Sequence, residues 1–170
     1  MIIALAITAA ANLAAAPAAP AAAAYSGSLE NLFISACLDG AVSLSREDAQ
    51  PIQFDALPKA LKSKLGSPDR TQVWMLQRPG HSYLYTVEYD DRDLSPKVCG
   101  LASDQLKINP ATEVVAARLN GMPGEDGAVT TEWHFPEQGY FALASRVREY
   151  TVLQVNQMSD FQRQEALRNR

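Results

Sequence analysis

Lys97-Val98-Cys99-Gly100-Leu101-Ala102-Ser103 decides the fold class. Valine, cysteine and leucine without helix periodicity predict a strand. The stretch carries one of only two cysteines, and the other, Cys37, falls on a predicted helix near the start of the mature chain. A bond between Cys37 and Cys99 is therefore expected, tying an N-terminal helix to the middle of a sheet.

Upstream of Lys97, two further strands are predicted, at Thr71 to Gln77 and His81 to Tyr89, with Arg78-Pro79-Gly80 as the turn. With the Lys97 to Ser103 strand they make an antiparallel meander. The second strand alternates: His81, Tyr83, Tyr85, Val87 and Tyr89 fall on one face, and Ser82, Leu84, Thr86 and Glu88 on the other. The expectation is a buried tyrosine face and a solvated opposite face. The alternative is an open aromatic platform of Trp74, Tyr83, Tyr85, Tyr89 and Trp133, joined by Tyr140.

Two helices precede the meander. Ser28 caps the first, whose Leu29, Leu32, Phe33, Ala36 and Cys37 form one apolar stripe before Asp39-Gly40 ends it. Ala41 to Phe54 is expected to be irregular. Asp55 is the expected cap of the second helix, with Pro58 in its first turn, Leu57, Leu61 and Leu65 inward, and Gly66 as its stop. Downstream, Asn109 and Pro110 open a third helix that ends at Asn120-Gly121, and Pro123 to Gly127 is a loop. Strands are predicted at Ala128 to Phe135, Tyr140 to Arg146 and Tyr150 to Met158, ahead of a charged tail over 160–170. The expected fold class is α+β. One antiparallel sheet of about five to six strands carries helices on one face, in the order α-α-β-β-β-α-β-β-β.

Residues 1–24 predict a secretory signal peptide: an Ala-rich apolar run, prolines at 17 and 20, and Ala22-Ala23-Ala24 before the expected cleavage point. No Lys or Arg precedes the run. Residues 25–159 are then one globular domain, exported to the periplasm or secreted, with no stable membrane anchor after cleavage. Ile34-Ser35-Ala36-Cys37 resembles a lipoprotein cleavage box, but the polar residues between Tyr25 and Phe33 cannot serve as its apolar core. A net charge of -4 and no basic run argue against nucleic-acid binding.

Phe33-x3-Cys37, Leu57-Pro58-x2-Leu61, Cys99-Gly100-Leu101-Ala102-Ser103 and Tyr150-x-Val152-Leu153-x-Val155 together resemble a loose group of small uncharacterised exported proteins of proteobacteria. The resemblance covers most of the mature chain. It implies export and a disulfide, and transfers no catalytic residue.

Chemistry is sparse. There is no Gly-x-Ser-x-Gly elbow, and only two histidines, His81 and His134, are present. His81, His134, Glu88, Glu132, Asp90, Asp91 and Asp93 could supply metal ligands, but no metal-binding spacing joins them. No metal or cofactor is expected. Glu88 and Glu132, both mid-strand, are the acids a paired-carboxylate hydrolase would use. The favoured reading is a non-enzymatic binding or interaction domain with a protein, peptide or glycan partner, and the hydrolase is the alternative.

Overall fold

The computed structural model describes residues 27–41, 44–91, 95–122 and 128–168. The first described element is α1 (Leu29–Phe33), which widens into a five-residue π-helical turn, Ile34–Leu38. Then come β1 (Ala49–Ile52), a 3-10 turn (Phe54–Ala56), α2 (Lys59–Leu65), β2 (Arg70–Leu76), β3 (Ser82–Glu88) and β4 (Lys97–Ser103). Next are α3 (Ile108–Leu119), β5 (Thr130–Phe135), β6 (Tyr140–Val147), β7 (Tyr150–Gln157) and α4 (Asp160–Arg168). The predicted leader, Asp93, the 123–127 loop and the last two residues of the tail lie outside the described residues.

Among the described residues seven strands form one antiparallel sheet in the order β1-β2-β3-β4-β7-β6-β5. Two meanders, β1 to β4 and β5 to β7, meet where β4 pairs with β7, Leu101 opposite Leu153. The expected α+β class and antiparallel pairing are present, but the sheet has seven strands rather than five or six. The additional strand is β1, in the segment expected to be irregular. It is short and carries Pro51, opposite Trp74. Proline is tolerated there because β1 is an edge strand.

Helices cover both faces of the sheet, which corrects the expectation of one covered face. On one face α1, its π turn and α3 pack Leu32, Phe33, Ala111 and Val115 against Leu84, Leu101, Ala142 and Leu153. On the other face Leu57, just ahead of α2, and Leu61 and Leu65 on it pack against Val73, Tyr83, Tyr85, Val87 and Val152. The face of β3 expected to be solvated is therefore covered: Ser82 and Leu84 are buried, and Ser82 Oγ lies 2.7 Å from Ser103 Oγ. The cause is β4, whose Val98 and Ala102 pack on one side and Leu101 on the other. A strand apolar on both sides needs cover on both.

Cys37 and Cys99 are bonded, with their Cα atoms 5.4 Å apart. The bond fastens the π turn to β4. Ser28 caps α1 as its sequence predicts, accepting from the Asn31 N–H at 3.2 Å. The cap expected at Asn109 is displaced, because α3 starts at Ile108, which is buried. Pro110 then stands inside the first turn, where no N–H partner is required. Asp55 likewise caps nothing; it lies in the 3-10 turn ahead of α2. The tail is α4, started by a reciprocal pair in which Ser159 N–H donates to Gln162 Oε1 and Gln162 N–H to Ser159 Oγ.

Candidate functional site

The aromatic residues do not form one platform. Tyr83 and Tyr85 are buried under α2, and the Tyr89 hydroxyl donates to the Leu65 carbonyl at the C-terminal end of α2. Trp74, Trp133 and Tyr140 pack on the opposite face, with the Trp133 Nε1–H donating to the Met122 carbonyl at 2.9 Å. Burial pushes the Tyr85 phenol far above its ordinary range. Its hydroxyl faces Gln154 Oε1 at 3.4 Å.

The candidate acids are separated as well. Glu88 shares its face of β3 with Leu84, whereas Glu132 shares its face of the sheet with Tyr85, so the two carboxylates lie on opposite faces. Four strand spacings, about 19 Å, also separate β3 from β5. Each acid has its own partner: Glu88 takes Arg70 at 3.1 Å and Lys97 at 3.8 Å, and Glu132 takes His134 at 3.0 Å.

Both histidines stand in exposed two-residue pairs. His81 Nδ1 is 3.0 Å from Asp104 Oδ2, and the His81 backbone N–H donates to Asp104 Oδ1 at 2.9 Å. Burial acts to raise the Asp104 carboxyl, but hydrogen bonds from Gln105 and His81 outweigh it and hold the group below its ordinary value. The acidic turn after β3 is neutralised in part by Arg70, which reaches Asp90 at 3.3 Å. Among the described residues no three metal-ligating side chains come together.

The concave feature with unspent chemistry lies at the end of the sheet, between the first turn of α3 and the β6–β7 hairpin. It is a groove of about 540 Å³ whose walls include Lys107, Arg146 and Arg148. The fold builds it from two distant segments. Thr151 Oγ1 donates to the Leu106 carbonyl at 2.9 Å, which fixes the approach to α3 against β7. Arg146 closes the end of β6, its N–H donating to the Val129 carbonyl at 2.8 Å. Arg148 turns the hairpin with φ of 55°, a left-handed conformation uncommon for a side chain of its size.

Arg70, Lys97 and Arg118 are paired with carboxylates. Among the described residues, Lys107, Arg146 and Arg148 have no such partner, and Glu149 is the one acid on the groove wall. The first turn of α3 contains no acidic residue either. Positive charge thus converges on one concavity of a chain whose net charge is -4. Sequence reading missed this groove because its cations are single residues in separate segments. The local signal was Arg146-Val147-Arg148 at a hairpin; its junction with Lys107 depends on tertiary contacts.

The fold and groove define an α+β domain with a doubly covered antiparallel sheet and a basic cleft at one end. No family model matches the chain, and no match was found among curated proteins or solved structures.

Proposed function

We propose that the chain is an exported, non-enzymatic binding domain, acting in the periplasm or outside the cell, and that its ligand carries an anionic group. The observation that carries this reading is the convergence of Lys107, Arg146 and Arg148, without carboxylate partners among the described residues, on one groove. A cleft of one sign between low-dielectric walls concentrates ligands of the other sign. Guanidinium forks suit carboxylate, sulfate and phosphate oxygens. Export is supported by the Ala-rich leader and the Cys37–Cys99 bond, a pairing that persists in oxidising compartments. The resemblance to small exported proteins of proteobacteria points the same way. The hydrolase alternative lacks its geometry, since Glu88 and Glu132 share no cleft.

The test is titration of the oxidised protein with inorganic phosphate and with a heparin oligosaccharide, followed by amide chemical shifts. Saturable shifts are expected over 107–111 and 146–151, weakening as salt rises. The R146E and R148E variants are each expected to bind about tenfold more weakly or worse. Shifts elsewhere, or charge-reversed variants that bind as wild type, would refute the assignment.

A further inference from the structure

Among the described residues β5, Thr130-Thr131-Glu132-Trp133-His134-Phe135, ends the sheet and pairs only with β6. The ladder to β6 is uninterrupted from Thr130 to Phe135. The Arg146 N–H donates to Val129 in the same ladder. Alternate residues from Val129 onward therefore bond inward, and the N–H and C=O groups of Thr130, Glu132 and His134 point away from the sheet.

The two edges of the sheet differ. β1 is four residues long and contains proline, which blunts it. β5 has six residues, no proline, no lysine and no bulge. Exposed apolar side chains also gather at this end. Val129 is 63% exposed at the foot of β5, and Met122, beside Trp133, is 82% exposed. Phe161, 66% exposed, is on α4, whose Gln162, Glu165 and Ala166 face Glu132 and His134 across a groove.

The charge pattern of β5 is complementary to itself in one register, which fits a second copy of the chain. In a twofold antiparallel pairing, an axis through Glu132 or His134 sets that residue against its own copy. An axis through Trp133 sets Glu132 opposite His134 of the second copy, twice, on the same face. Directly opposed residues have Cβ atoms about 5 Å apart, so an acid and an imidazole there attract while two acids repel. This register also joins outward-pointing backbone groups to outward-pointing ones, as the ladder requires.

We infer that β5 pairs antiparallel with β5 of a second copy, with Trp133 at the twofold axis, making one continuous sheet through both. The interface is isologous and closes on itself, so the product is a dimer and not a fibre. It uses none of the cations of the basic groove and stands independently of the proposed function.

The test is sedimentation velocity over a concentration series. Wild type is expected to dimerise. E132K, which sets a lysine against the opposing imidazole, and H134E, which sets acid against acid, are each expected to weaken association about tenfold or more. An equimolar mixture of E132K and H134E restores dimer, because the opposed pairs become Lys–Glu and His–Glu. Both positions are exposed, and circular dichroism checks that the variants are folded. A wild type that remains monomeric overturns the inference and leaves the edge to another partner. Variants that dimerise as wild type, or a mixture that stays monomeric, overturn it equally.

Discussion

Tyr85 and Gly100 face each other across β3 and β4. A Cβ on Gly100 would run into the Tyr85 ring, so the glycine leaves the space the tyrosine fills. Tyr85 is 1% exposed and packs with the α2 leucines. Tyr85→Ala is expected to destabilise by about 3 kcal/mol or more through the cavity it leaves. Gly100→Ala is expected to cost about 1–3 kcal/mol by overpacking. In the double variant the two defects partly cancel, so urea titration should give a combined loss smaller than the sum. Two additive losses would show that the pair is not coupled. The period-two spacing of tyrosines was legible in the sequence. The need for Gly100 was not, because it depends on the β3–β4 register.

At the scale of elements, most strands and helices lie within about two residues of where sequence periodicity puts them, and the misses have physical causes. β1 was hidden because a proline-containing four-residue strand is stable only as an edge. The displaced start of α3 follows from burial of Ile108, which outweighs the local capping preference of Asn109. Two-sided cover was written in Val98, Leu101 and Ala102, apolar on both parities of one strand, but period-two reading of β3 alone obscured it.

The His81–Asp104 pair joins the start of β3 to the end of β4. Because the folded-state carboxyl lies below its ordinary value, its stabilisation is present above about pH 4 and is lost as pH falls through the folded value. Asp104→Asn is expected to lower stability by about 1 kcal/mol at neutral pH. The deficit should shrink in acid titrations monitored by tryptophan emission. A deficit that stays constant down to the lowest pH would remove the ionised carboxylate from the account.

For the whole molecule, the Cys37–Cys99 bond closes a loop with a sequence separation of 62. In the chain-entropy model such a bond contributes about 4 kcal/mol at most. Reduction, or Cys37→Ser with Cys99→Ser, should lower the urea midpoint by up to that equivalent while leaving the far-ultraviolet spectrum that of the same fold. No change in midpoint would mean that packing of α1 and its π turn alone holds the helix in place. The cysteine pairing was legible from composition and the inferred compartment. The basic groove was not, since it exists only once the Thr151–Leu106 contact brings the β6–β7 hairpin to α3.

The junction of the two meanders has a consequence in time. A chain emerging amino end first completes β1 to β4, and both cysteines, before any residue of β7 appears. During that interval β4 waits with one edge unpaired, and Val98, Leu101 and Ala102 on its two faces lack the neighbours that β7 later supplies. This is the kind of transient apolar edge on which nascent chains aggregate. The sulfur bridge can form in the same interval, holding the π turn and α1 over one surface of the waiting strand. Formed then, it would hold α1 and its π turn over the Leu101 side of the seam until the carboxyl-terminal meander arrives to close it.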